Sequence, residues 1–257
     1  MRHLTTAAAL LLLAAAGPAA AKPGWQKIFD GKTLDGWTPK ITGQPTGADP
    51  FGTFRVRDGA VAISYENYGG KFAGRFGHLA FARPVGPFRL RFQYRFSGTY
   101  LPDVEGWQHS NSGIMVLAQD PRTMTRDQKF PVSIEVQLLG PGGPLPSTGN
   151  LCSPGTNVVM NGKLTTQHCI GSSQPPYPNG RWIRGEIEFD RAGTITHRIE
   201  GKPVLTYSAP QLDPADADAK PLVAAAGGNL AITGGYLYLQ SEGHPVEFRK
   251  IELKELD

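Results

Sequence analysis

Residues 130–139 read FPVSIEVQLL, with Val132, Ile134, Val136 and Leu138 alternating strictly with Ser133, Glu135 and Gln137. Period-two alternation predicts a half-buried β-strand, because successive strand side chains point to opposite faces of a sheet. One face adds a β-branched and leucine stripe to a core. The other lines up a hydroxyl, a carboxyl and an amide, a ladder that suits sugar hydrogen bonding, although a solvent-facing edge accounts for such a face as well.

The same period recurs along the chain. Residues 88–96, FRLRFQYRF, put Phe88, Leu90, Phe92, Tyr94 and Phe96 on one face and Arg89, Arg91, Gln93 and Arg95 on the other. The aromatic face is predicted core and the arginine row a charged, solvated outer face. Hairpins are predicted across Asp58-Gly59 and Asn161-Gly162, since such pairs tolerate the positive φ that a type I′ turn needs at both positions. Further strands are read at 183–189, 194–205, 235–240 and 246–251, the last two flanking Ser241-Glu242-Gly243-His244. Within 106–117 a polar, loop-like part runs into the apolar strand 114–117, and Gly113 at the join marks a bulge or the close approach of another group to the backbone. The connection 140–181 is far longer than the usual few residues. It is read as an ordered lid bracketed by the two cysteines.

Glycine and proline are abundant, at 32 and 22 residues, and helical periodicity is scarce. With many short alternating strands this predicts an all-β sandwich or jelly roll. Residues 1–21 carry a short basic region (Arg2, His3), an apolar run over 7–16 and small residues at Ala19 and Ala21, the pattern of a secretory signal peptide cleaved near Ala21. The remainder, 22–257, is read as one exported domain, periplasmic or extracellular. The apolar run is too short to span a bilayer, and no later stretch approaches the ~20 apolar residues of a membrane helix. The formal charge of +4 is a small excess. Its lysines and arginines are dispersed among acids, which argues against nucleic acid and against a polybasic membrane surface. In an exported chain Cys152 and Cys169 predict a disulfide, which would also fix His168 beside it. A zinc site using His168 and Cys169 lacks a second ligand pair. Asp213, Asp216 and Asp218 lack the glycine and terminal glutamate of a calcium loop and are read as a surface linker. No feature of the sequence specifies an oligomeric state.

Four motifs occur in order: Phe29-Asp30-Gly31-Lys32 with Gly36-Trp37, Asn111-Ser112-Gly113-Ile114, Ile134-Glu135-Val136-Gln137, and Tyr238-Leu239-Gln240 followed by Phe248-Arg249-Lys250-Ile251. Together they resemble the 3-keto-disaccharide hydrolase domain family over 25–256, essentially all of the mature chain. Two departures stand out: Met115-Val116-Leu117 where the family often has an arginine, and the cysteine-bearing connection. The resemblance implies a concanavalin-A-like lectin/glucanase jelly-roll β-sandwich, a single domain with a long disulfide-bearing loop. It also implies a carbohydrate substrate whose C3 hydroxyl is already a ketone. That ketone acidifies the C2 hydrogen, so a general base forms an enolate that expels the C1 substituent, and water then adds to complete a net hydrolysis.

The candidates for this chemistry are Glu135, His168 and His109 as catalytic groups, with Asn111, Gln137, Gln240, Trp107, Tyr238 and His244 at the sugar. Histidine suits the base because it titrates near neutrality. Glu135 would need its pKa raised by burial, or would serve as a metal ligand. A divalent cation polarising the ketone is neither required nor excluded. A surface or structural role explains any one histidine taken alone. Two rival classes stay open. One is a non-catalytic carbohydrate-binding module, with Trp107, Tyr236 and Tyr238 as stacking platforms. The other is a two-carboxylate glycosidase, disfavoured because Gln137 stands where a second acid is wanted and no facing acid is expected.

Overall fold

The computed structural model describes residues 24–256; the signal peptide expected over 1–21 lies outside the described residues. In chain order the strands are β1 (Gln26–Lys27), β2 (Trp37–Ile41), β3 (Phe54–Arg57), β4 (Ala60–Ile63), β5 (Gly77–Phe81) and β6 (Phe88–Phe96), then β7 (Asn111–Ala118), β8 (Ile134–Leu139) and β9 (Asn150–Cys152). They continue as β10 (Thr156–Met160), β11 (Lys163–Thr165), β12 (Cys169–Ile170), β13 (Ile183–Phe189), β14 (Thr194–Ile199), β15 (Lys202–Leu212), β16 (Tyr236–Ser241) and β17 (Val246–Glu255), with one short α-helix among the described residues, α1 (Lys220–Ala225), before β16. A ten-stranded sheet runs β11-β10-β15-β14-β13-β6-β17-β4-β3, with β1 added along β17. A seven-stranded sheet runs β12-β9-β8-β7-β16-β5-β2. No helix among the described residues is long and apolar enough to cross a membrane.

The alternation seen in the sequence sorts side chains between these layers. Ile134, Val136 and Leu138 of β8 join Leu90, Phe92 and Tyr94 of β6 and Phe248 of β17 in one buried cluster. Each such side chain contributes roughly 1.5–3 kcal/mol on burial, and the 64–76 loop adds Tyr65, Tyr68, Phe72 and Phe76 to the same cluster. The two predicted hairpins form, with positive φ at Asp58 and Gly59 (51° and 74°) and at Asn161 and Gly162 (51° and 75°).

Two expectations change. The strand starts at Ile134 instead of residue 130, because Pro131 has no N–H and the Val132 N–H goes to the Gln119 side chain at 2.7 Å. Ser133 is sealed in the interior with its hydroxyl on the Pro131 carbonyl at 3.0 Å, so the polar ladder shortens to Glu135 and Gln137. The 140–181 connection is ordered but does not lie over the molecule as a lid. Its backbone is absorbed into both sheets: β9 and β12 extend the seven-stranded one, while β10 and β11 extend the ten-stranded one. Cys152 and Cys169 face each other in register and form the disulfide, with Cα atoms 4.2 Å apart.

Candidate active site

β8 is an interior strand of the seven-stranded sheet, between β9 and β7, and its register sets the site. Met115 and Cys152 flank Glu135; Gly113 and Asn150 flank Gln137. Glu135 and Gln137 point away from the inter-sheet core. On the far side of β7, Gln240 of β16 points the same way. A Cβ at Gly113 would lie 2.7 Å from Oε1 of Glu135 and 2.9 Å from Oε1 of Gln240. The bare glycine therefore lets the carboxyl and the amide meet over the β7 backbone, the close approach that its position at the join predicted.

Glu135 and Gln137 open into a cleft of about 460 Å³, whose lining Gln240, fully buried behind them, does not join. Asn111, Glu135, Gln137 and Glu242 supply its polar surface; Trp107 and Phe130 line one part, and Leu145 with the Cys152–Cys169 disulfide another. Trp107 is 37% exposed and stacks at 5.9 Å on Phe76, leaving an aromatic face at the cleft. Here the long connection contributes wall rather than lid.

Glu242 overturns the expectation that no second acid faces Glu135. It lies in the turn between β16 and β17, which is pinned from three directions. Gln108 donates to the Glu242 carbonyl at 2.8 Å, the Gly243 N–H donates to the Tyr65 hydroxyl at 2.7 Å, and the Leu101 N–H donates to the Gly243 carbonyl at 3.0 Å. Gly243 has φ 102° and would put a Cβ 2.4 Å from Val104, so only glycine fits this turn. A signal was present in the sequence: Tyr238, Gln240 and Glu242 share one parity, and hence one face.

The two carboxyls are buried together. Burial pushes Glu135 up to about 8. Glu242 is raised well above the usual carboxylate range, by burial first and by the charge of Glu135 second. Oε1 of Glu135, Oε2 of Glu242, Oδ1 of Asn111 and both amide atoms of Gln240 are buried without a hydrogen-bond partner. Buried polar atoms are nearly always paired in folded proteins, so five orphans on one sheet face and its adjoining turn mark a surface built for a polar ligand. His78, which the sequence reading missed, extends the set from β5, where it pairs with Gln240. Its Nε2 is also an orphan, and burial followed by the charge of Lys40 pushes it down to about 3.

The expected histidines separate. His168 reaches the cleft from its exposed rim, beside the disulfide. His109 does not line the cleft; its ring stacks on Tyr100 at 4.0 Å. His244 is buried against Phe96 and Tyr100, accepts the Ser110 N–H through Nδ1 at 3.1 Å, and is pushed down to about 4 by burial and then by His109. It too lies outside the cleft lining, since the end of the β6 strand and the loop after it enclose it. Tyr238 is fully buried with its hydroxyl on the Gln119 carbonyl at 2.7 Å, in a small apolar cluster with Ala80, Met115 and Met124. It supports the sheet face and has no free ring to stack on a sugar. Tyr236 sits away from the cleft, bonded to Asp120 at 3.2 Å.

Among the described residues no group of three or more His, Cys, Asp or Glu side chains is placed to hold a metal ion. The cleft offers a cation two carboxylates, of Glu135 and Glu242, and the amide oxygen of Asn111.

By fold and site this is a jelly-roll protein with a carboxylate-bearing cleft on the outer face of one sheet. It belongs to the 3-keto-alpha-glucoside-1,2-lyase-like domain family, whose profile matches residues 24–254, and that membership gives it a carbohydrate-active role. Two provisionally named glycosyl hydrolases from Parabacteroides distasonis ATCC 8503 share the fold. One is 20% identical over 91% of this chain and 94% of its own (TM-score 0.52), the other 16% identical over 91% and 100% (TM-score 0.55). The Bacillus licheniformis β-glucanase is 7% identical over 93% of this chain and 100% of its own, with a TM-score of 0.50. No curated protein matches the sequence.

Proposed function

We propose that the protein cleaves glycosides whose C3 hydroxyl has been oxidised to a ketone, by elimination across C1 and C2 followed by hydration. The observation that carries this reading is the buried pair Glu135 and Glu242 in one cleft, each with an unpartnered carboxyl oxygen and with the orphaned Asn111 carbonyl beside them, in a chain of the lyase-like family. Two coupled carboxyls whose environments differ supply an acid and a base at once. In this reading Glu135 takes the base role and Glu242, raised by burial and by the charge of Glu135, the acid role.

The Glu135 carboxylate takes the C2 proton, and charge builds on the C3 oxygen as the enolate forms. The C1–O bond then breaks and Glu242 protonates the departing oxygen. The products of this half are a free alcohol and a 1,2-unsaturated 3-keto sugar, and the carboxyl pair has exchanged its protonation states. Water next adds at C1, losing its proton to Glu242, while Glu135 returns a proton to C2. That yields the 3-keto sugar and restores the pair. Trp107, exposed at the cleft and stacked on Phe76, suits the apolar face of a sugar ring. The disulfide favours an oxidising compartment, which supports export and cleavage near Ala21.

The test is mass spectrometry of products after incubation with a 3-keto-glucoside and with its unoxidised parent. Turnover of the keto form alone is expected, with a transient dehydrated sugar. Binding of either without turnover would make the protein a lectin-like module. Cleavage of the parent would instead assign the Glu135/Glu242 pair to an ordinary two-carboxylate glycosidase.

A further inference from the structure

The Gln137 amide has two chemically opposite ends. Its NH2 group stabilises an oxygen on which negative charge builds, while its carbonyl would repel that oxygen. The neighbour on β9 decides which end faces the cleft. Asn150 is 0% exposed, and every hydrogen-bonding position of its amide is filled. Nδ2 donates to the Ser147 carbonyl at 2.9 Å and to Oε1 of Gln137 at 3.1 Å; Oδ1 accepts from the Ser147 hydroxyl at 2.7 Å and the Ser172 N–H at 2.9 Å. Two of these partners are backbone groups, a carbonyl that only accepts and an N–H that only donates. The Asn150 amide therefore has one orientation, and its remaining donor requires an acceptor on Gln137. That turns Oε1 inward and leaves Nε2, which has no protein partner among the described residues, at the cleft.

We propose that Asn150 is a positioning residue that locks the Gln137 amide with its NH2 toward the cleft, making Gln137 the donor to the oxygen that becomes negatively charged. The proposal rests on the elimination reading above. It also gives the long 140–181 connection a function: Ser147 and Ser172, which fix Asn150, both belong to it. Ser172 lies three residues beyond Cys169, where the disulfide ties that stretch to β9.

The experiment measures turnover of a 3-keto-glucoside by the wild type, Asn150→Asp, Gln137→Met and the double variant. Asn150→Asp keeps the shape but cannot donate, so Gln137 should swing its NH2 inward. Each single variant should lose about 10²-fold in kcat, the usual cost of one oxyanion donor, with KM nearly unchanged. The double variant should be no worse than Gln137→Met, because Asn150 acts only through Gln137. Multiplying losses, or wild-type kcat in Asn150→Asp, would overturn the proposal. If Asn150→Asp does not fold, Gln137→Glu serves: it keeps the bond from Asn150 but puts an oxygen where the NH2 was, and near-wild-type kcat there would be equally fatal. A side-chain amide measurement needs no turnover and so separates this idea from the elimination reading. The Gln137 15NH2 pair should exchange quickly with water while that of Asn150 is protected, and a protected Gln137 pair would refute the assignment even in an active enzyme.

Discussion

The outer faces of the two sheets carry the same polar alternation and have opposite fates. On the ten-stranded sheet Arg89, Arg91 and Arg95 each meet a cross-strand carboxylate: Glu186 at 2.5 Å, Glu252 at 2.7 Å and Glu247 at 2.6 Å. Water reaches these pairs, and Trp25 and Trp182 cover parts of them, with Arg91 4.1 Å from the Trp25 ring and Arg95 4.6 Å from that of Trp182. On the seven-stranded sheet Glu135, Gln137 and Gln240 are buried, and two of the three keep orphaned atoms. What differs is the covering. Met124 and Phe130 pack over one end of the seven-stranded face, and the 140–181 connection walls another part. Covering a polar row without pairing it costs free energy, so an uncompensated row is the better guide to a site than the row's composition.

The largest effect should come from breaking that difference at its centre. Glu135→Gln removes the ionisable oxygen and leaves the core stripe of Ile134 and Val136 untouched. Turnover of a keto-glycoside should fall by at least ~10²-fold, while the thermal midpoint holds or rises, because a buried carboxyl is no longer asked to ionise. Wild-type rates in this variant would reduce Glu135 to a binding residue and leave His168 as the remaining expected base at the cleft.

Gly113→Ala sharpens the same contrast from the backbone. The added methyl would lie 2.7 Å from Glu135 Oε1 and 2.9 Å from its Cγ. These are the movable atoms of a side chain, so the fold should yield cheaply while Glu135 and Gln240 are driven apart. We expect a loss of ~10-fold or more in kcat/KM, since small misplacement of catalytic groups is expensive, beside a small loss in Tm. A large Tm loss with unchanged specific activity would show that the glycine serves packing and not the site.

The pH dependence of stability separates the faces next. Glu135 has its pKa raised from 4.5 to about 8, and its neutral form is favoured by folding. The associated stabilisation is complete below the unfolded pKa and is lost as pH rises through about 8. His78, His197 and His244 are pushed down from 6.5, to about 3, 4 and 4. Their contribution is present above pH 6.5 and is lost as pH falls toward 4. The carboxyl pair thus supplies an alkaline arm and the histidines an acid one. Glu242→Gln should flatten only the alkaline arm, so its Tm advantage over the wild type grows between pH 6 and 9. An advantage constant across that range would mean that the pair does not titrate there.

The sequence made the sandwich legible because burial alternates at period two, and two-residue turns such as Asp58-Gly59 punctuate it. It made half the site legible for the same reason: Glu135, Gln137 and Gln240 fall on predictable strand faces. What it hid depends on contacts distant in the chain. Nothing local shows that Glu242 in a turn comes beside Glu135 on β8, or that Asn150 aims the Gln137 amide. Histidine chemistry was over-read at His109 and His244, because residue type announces a titration but not where a ring packs. Tyr238 misled in the same way, since a tyrosine on the correct face can still be roofed over.

The smallest effect should follow from disturbing the solvated face. Arg91 is 44% exposed and its partner Glu252 21%, so water and salt screen the pair, and such ion pairs are worth about 0–1 kcal/mol. Reversing one charge, Arg91→Glu, also forfeits the Trp25 contact and places two acids opposite each other. Even so, Tm should drop by no more than roughly 2–4 °C per kcal/mol lost. Adding Glu252→Arg should recover part of that drop, more fully at low salt than at high. Turnover should not change, because the apolar layer formed by Leu90, Phe92 and Val136 separates the pair from the cleft. A tenfold change in kcat from this exchange would instead mean that the two faces are coupled through the core strands, and that the solvated row belongs to the working machinery.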